Sequence, residues 1–242
     1  MQKKCSNSFR DCCIFCNLKT PNNYHDMSFY WIKTHHLIKK IFSKYVWDIP
    51  NDANKIYLTF DDGPTPEITN WVLELLQKHN ATATFFCIGK NIEEQPELFQ
   101  KIIKNKHAVG NHTSNHLNGW KTTTAAYLNS IVNCTKTIAK YKTPNSNLPS
   151  TLFRPPYGKI TRAQMNAIKE QGYKVIMWDV LSADFDTTIT KEKCLENVIS
   201  NIQSGSIIIF HDSAKAFPNL KYTLPKVLDF IDQKKFQYAT IS

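Results

Sequence analysis

A chain of 242 residues that is 42% hydrophobic is long enough to bury a real core, as one large domain or two small ones. Its formal net charge of +10 suits an anionic partner such as a membrane surface, a cell-wall polymer or a nucleic acid. The lysines are scattered rather than interleaved with aromatics, and no common nucleic-acid motif is present, so nucleic acid is set aside.

Residues 1–26 are polar and lack hydrophobic periodicity, which predicts a non-globular extension ahead of a single domain over 27–242. They hold four of the 7 cysteines (Cys5, Cys12, Cys13 and Cys16). Cys13-Ile14-Phe15-Cys16 has the form of half a zinc knuckle, and no second pair completes it nearby. The odd cysteine count argues against a disulfide framework, and Cys87 and Cys134 read as buried thiols among apolar neighbours. Neither a signal peptide nor a membrane span is readable, so a cytoplasmic or membrane-associated location is expected. Met27 is a candidate for the natural start.

From Trp31 to Tyr45, Leu37, Ile38, Ile41, Phe42 and Tyr45 recur at helical spacing beside Lys33, Lys39, Lys40 and Lys44. The spacing predicts a helix packed on the barrel exterior or closing its bottom, or one lying on an anionic membrane surface. Apolar runs then fall at 56–60, 82–88, 107–110, 151–154, 173–179, 206–210 and 237–241. Amphipathic stretches separate them: Pro66–His79, Ile92–Asn105, Ala125–Tyr141, Arg162–Gln171, Glu192–Ile202 and Leu220–Asp232. Such alternation predicts an α/β fold, a distorted (β/α)7–8 barrel of parallel strands with an N-terminal extension and helix. The Pro-, Asn- and Ser-rich stretch 143–150 is expected to be a surface loop.

Residues able to do acid, base or metal chemistry follow these runs. Asp61 and Asp62 end the first and are turned by Gly63-Pro64; His112 and His116 follow the third; Arg154 ends the fourth; Asp184 follows the fifth; His211 and Asp212 follow the sixth. In parallel α/β barrels the carboxyl ends of the strands share one mouth, where active sites sit. Two adjacent carboxylates resist joint ionisation unless a cation lies beside them, so a metal held by one, with the other as base, resolves the conflict. The spacing His112-x-x-x-His116 places both imidazoles on one face of a helical turn. Taken alone, that pair reads equally as a polar surface or capping pair. With a carboxylate it makes a tridentate set for zinc, and cobalt, nickel, manganese or iron fit the same donors. Trp120 and Trp178 could stack on a sugar face, although packing is the more ordinary role.

Five ordered stretches resemble the polysaccharide deacetylases of the NodB-homology type, carbohydrate esterase family 4. They are Thr59-Phe60-Asp61-Asp62-Gly63-Pro64, His112-Thr113-Ser114-Asn115-His116, Arg154-Pro155-Pro156-Tyr157-Gly158, Asp184-Phe185 and Ile208-Ile209-Phe210-His211-Asp212, all within 55–241. The resemblance implies Asp62, His112 and His116 as ligands of a divalent metal, zinc first. It implies Asp61 as general base toward water, Arg154 as its holder, His211 as general acid, Asp184 as the partner that raises the His211 pKa, and the Tyr157 N–H as an oxyanion donor. The implied substrate is an acetylated amino-sugar polymer or a glycolipid. An O-acetyl esterase of the xylan type, or a non-catalytic carbohydrate-binding protein on the same scaffold, is the alternative. Phe185 stands where the family commonly has Trp, and Phe210 where it often has Leu, so both are expected to reshape the acyl pocket.

Overall fold

The computed structural model describes residues 30–142 and 151–242. The extension 1–26, its four cysteines, Met27 and the stretch 143–150 lie outside the described residues.

Seven short strands form one parallel sheet: β1 (Lys55–Asp61), β2 (Ala83–Cys87), β3 (Ala108–Asn111), β4 (Leu152–Phe153), β5 (Lys174–Val175), β6 (Val180–Leu181) and β7 (Ile207–His211). Their order is β5-β4-β3-β2-β1-β7-β6, and β8 (Gln237–Tyr238) pairs with the start of β1. The sheet curls into the expected distorted barrel. Helices α2 (Ile68–Lys78), α3 (Gly89–Glu94), α4 (Pro96–Lys104), α5 (Thr124–Tyr141), α6 (Arg162–Glu170), α7 (Lys191–Ile199) and α8 (Phe217–Gln233) alternate with the strands. β1 and β2 are buried on both faces, which is why they read as continuous apolar runs and not as alternating ones. Phe60, Phe85 and Phe210 stack in the layer that packs against α2, α4 and α8. Phe210 therefore belongs to this core, not to an acyl pocket as expected. Cys87, Cys134 and Cys194 are buried free thiols.

Three local expectations change. The stretch 92–105 is two helices, broken at Gln95 because Pro96 has no N–H to continue the ladder and disfavours helical backbone in the residue before it. The run 173–179 holds only the short strand β5 and an isolated bridge at Ile176, and β6 begins just beyond it. Ile176 and Met177 both turn their carbonyls toward the Arg154 guanidinium, at 3.2 and 2.8 Å, whereas consecutive carbonyls of a regular strand point opposite ways.

The third change concerns 31–45. Only α1 (His36–Ile41) is helical. The backbone around it instead spans the two edges of the sheet. Val46 bridges Ile176 in parallel beyond β5, and Lys33 bridges Val180 of β6 antiparallel. Charge explains the choice. Asp179 is fully buried, and Lys33 and Lys39 each place Nζ 2.5 Å from its carboxylate while Ser206 donates from 2.6 Å. A buried carboxylate without such partners is strongly unfavourable. Two of the lysines assigned to a membrane-facing helix thus point inward, although Leu37 and Ile41 stay exposed. No described helix is long and apolar enough to cross a membrane.

Candidate active site

Register sets the site. Asp61 is level with Phe86 on β2 and His211 on β7; Cys87 is level with Asn111 on β3, and Asn111 with Phe153 on β4. Asp61, Asp62, His112, Arg154 and His211 therefore leave the sheet together at its carboxyl edge. Asp184, just beyond β6, joins them by its bonds to His211.

Arg154 is completely buried and each of its three guanidinium nitrogens donates a hydrogen bond. It donates to Asp61 Oδ1 at 2.7 Å, to Thr59 Oγ1 at 2.7 Å and to the carbonyls of Ile176 and Met177, and it lies 4.1 Å over the Phe86 ring. Thr59 completes the relay by donating its own hydroxyl to the Ile208 carbonyl. Its contribution was legible, since side chains two apart on a strand share a face and Thr59 sits two before Asp61.

His112 and His116 do not lie on a helical turn. Asn111 Oδ1 accepts from the Thr113 N–H, and its amide donates to the Ile131 carbonyl and to Thr135. This Asx turn, with Thr113 at φ 62° and His116 at φ 52°, folds the loop back on itself and leaves the two rings 5.1 Å apart. The His112 Nδ1 must carry hydrogen, because it lies 2.8 Å from the Arg154 carbonyl, which can only accept. Its Nε2 lone pair then faces Asp62 Oδ1 at 3.7 Å, while the His116 Nε2 lies 3.2 Å from the same oxygen.

Burial pushes His112 down to about 4, against the opposing pull of Asp61, so it is neutral near pH 7. For Asp62, burial alone would raise the carboxyl, but the surrounding imidazoles of His116, His211 and His112 hold it well below the carboxylate range. Asp62 Oδ1 is buried and has no hydrogen bond of good geometry. A neutral imidazole lone pair facing an orphaned carboxylate oxygen is repulsive unless a cation lies between them. One donor atom each from Asp62, His112 and His116 lies within 4.8 Å of the others, and this mixed N/O set fits a divalent metal.

Across the mouth, His211 Nδ1 meets Asp184 Oδ1 at 2.8 Å, and its backbone N–H donates to the other carboxylate oxygen at 2.8 Å. Burial would lower the His211 pKa, but the buried Asp184 carboxylate outweighs it and lifts the imidazole to about 9. The Phe185 ring stands edge-on to His211 at 5.1 Å. Tyr157 sits at φ 60° in the short 3-10 turn Pro156–Gly158 that follows extended Pro155, half exposed, with its ring 4.5 Å from that of His116. Trp178 is buried in packing, and Trp120 donates to the Ile160 carbonyl under the Lys159 ammonium.

Two polar contacts at the acidic turn have no counterpart in the sequence reading: the Asn91 amide donates to the Asp62 carbonyl at 2.7 Å, and Asp212 accepts from the Gly63 N–H at 3.0 Å. Asn91 had no signal, since it stands just ahead of the amphipathic stretch Ile92–Asn105. Asp212 had one, its position directly after His211.

The polysaccharide deacetylase family pattern matches residues 48–176. A peptidoglycan-N-acetylglucosamine deacetylase of Bacillus cereus is 34% identical over 198 residues, which span 81% of this chain and 90% of the relative. A chitooligosaccharide deacetylase of Azorhizobium caulinodans is 32% identical over 167 residues, 68% of this chain and 76% of the relative. The crystal structure of a peptidoglycan N-acetylglucosamine deacetylase in complex with 4-naphthalen-1-yl-N-oxidanyl-benzamide superposes with a TM-score of 0.76 at 28% identity, covering 84% of this chain and 94% of that one.

Proposed function

The chain belongs to the polysaccharide deacetylase family, carbohydrate esterase family 4, and from that premise we propose that it is a metal-dependent hydrolase removing N-acetyl groups from N-acetylglucosamine-containing polysaccharide or from a lipid-linked glycan. The observation that carries this reading is the pair of charge couples, Arg154–Asp61 and Asp184–His211, set on either side of the Asp62, His112 and His116 donors.

Asp62, His112 and His116 would hold a divalent ion, zinc first. Bound there, it supplies Lewis acidity to the acetamide carbonyl and to water. Asp61, held by Arg154 so that Oδ1 is occupied, presents Oδ2 to the mouth and takes the proton from the attacking water. The water oxygen bonds to the carbonyl carbon. His211 protonates the amine nitrogen as the C–N bond breaks, leaving acetate and a free amino sugar. The Tyr157 N–H is assigned to the developing oxyanion, where one such donor is worth about 2.7–4 kcal/mol.

The direct test measures acetate released from N-acetylglucosamine oligomers, peptidoglycan and O-acetylated xylan, after reconstitution with zinc or cobalt. Release from the amide substrates supports the proposal. Release from the ester alone makes the chain an esterase, and release from neither in metal-loaded protein overturns the catalytic reading.

The acid's role has its own signature. Because the folded His211 pKa stands near 9, imidazolium persists through neutrality, and kcat/KM should fall only as pH rises through that value. In Asp184→Asn the couple is lost and only the smaller pulls of Asp62 and Asp61 still oppose burial, so the alkaline limb should move to lower pH, with a larger loss of rate at pH 8 than at pH 6. An unmoved limb assigns the proton to another group.

A further inference from the structure

Asp62 occupies a backbone conformation, φ 83°, that residues with side chains rarely adopt, and it does so at the centre of the donor set. Such a conformation persists only where its surroundings over-determine it. The determinants come from the residue after the acid. The Asp212 N–H donates to the Asp61 carbonyl at 3.1 Å, and Asp212 Oδ1 accepts from the Gly63 N–H at 3.0 Å. One residue of β7's exit thus grips the backbone on both sides of Asp62. The other carboxylate oxygen is fixed in turn by the Thr69 hydroxyl at the start of α2.

The grip is close. A Cβ at position 63 would lie 2.0 Å from Asp212 Oδ2, so only glycine admits the carboxylate. Asp212 is completely buried, and no cation is within ion-pair distance of it among the described residues. Its hydrogen bonds therefore go to the turn and to the helix behind it.

We propose that Asp212 is a positioning residue for the metal site, its carboxylate holding the Gly63 N–H so that Asp62 Oδ1 stays aimed at the His112 and His116 nitrogens. The inference rests on the metal-site reading above, and it concerns ligand geometry, not proton transfer. Partners that orient metal ligands typically contribute about 10–100-fold to metal affinity.

The test is calorimetric titration of metal-free protein with zinc, for the wild type, Asp212→Ala and Asp212→Asn, with the thermal midpoint recorded for each. Alanine removes the acceptor and should weaken zinc binding by about 10–100-fold. Asparagine keeps the shape and an oxygen for the Gly63 N–H, and should stay close to wild type. Unchanged affinity in Asp212→Ala overturns the proposal. So does an equal loss in both variants, which would mean that charge or folding, not the acceptor, is what matters. If the alanine variant does not accumulate as folded protein, Thr69→Val, which frees the second oxygen, should show a several-fold weakening, and wild-type affinity there overturns the idea instead. A wild type that takes up no zinc removes the metal-site reading itself, an outcome distinct from any of these.

Discussion

Protein carrying His112→Ala and His116→Ala together should contain no stoichiometric divalent metal, against about one ion per wild-type chain by elemental analysis, and its acetate release should fall to background. The geometry makes the effect large. Asp62 would remain as the lone donor of the three, and a single carboxylate does not hold zinc against water. Lewis acidity of this kind is worth several kcal/mol to the transition state, and each 1.36 kcal/mol is tenfold, so a loss of about 10³-fold or more is expected. Neither imidazole lies in the core layer of Phe60, Phe85 and Phe210, so the variant should still fold cooperatively. Full metal content in the double variant would place the ion elsewhere and dissolve the mechanism proposed for this mouth.

Asp61→Asn should separate catalysis from metal binding. The amide matches the carboxylate in shape and keeps an acceptor for Arg154, but it cannot take a proton. Activity should drop by about 10²–10⁴-fold, the usual contribution of a positioned base. Metal content should not change, because Asp61 is not one of the three converging donors. Stability should fall as well. Arg154 would keep Thr59 and the two carbonyls yet lose the carboxylate that balances a fully buried guanidinium, and breaking such a pair costs about 3–5 kcal/mol. The expected pattern is a lower denaturation midpoint, unchanged zinc stoichiometry and a collapsed kcat. A variant that keeps wild-type kcat would show that another group accepts the proton.

The spread of these two effects mirrors how the mouth is built. The three donors converge from two loops, after β1 and β3, and each loop is held by polar groups that sit elsewhere in the chain. The Asn111 side chain shapes the His112–His116 loop from within, whereas Asn91 and Asp212 hold the Asp61–Gly63 turn from α3 and from the end of β7. Affinity for the ion is therefore expected to respond to residues that never touch it.

Much of this was readable from the chain alone. Apolar runs of strand length alternating with amphipathic stretches gave a parallel sheet covered by helices, and the polar residues at the ends of those runs marked one mouth. Those are short-range properties: a side chain's face follows from period 2 or 3.6, and a strand's polar end follows from where burial stops. At Phe210 local pattern alone misleads. It was read beside His211 as a pocket residue, yet neighbours on a strand face opposite ways, and its ring went to the core.

Tertiary structure decided what local pattern could not carry. The periodicity from Trp31 to Tyr45 was helical, but a buried carboxylate at Asp179 drew Lys33 and Lys39 inward and turned most of the segment into a bridge across the sheet's two edges. The spacing of His112 and His116 suited a helix, but the Asn111 amide and a positive φ at Thr113 made it a loop. The grip of Asp212 on Gly63 spans 149 positions in sequence and exists only because β1 and β7 pair side by side. Sequence determined which groups stand at the mouth, since that needs only periodicity and strand ends. The fold alone decided which partners hold them, because buried charges and unpaired N–H groups find most of their counterparts across the curled sheet and not along the chain.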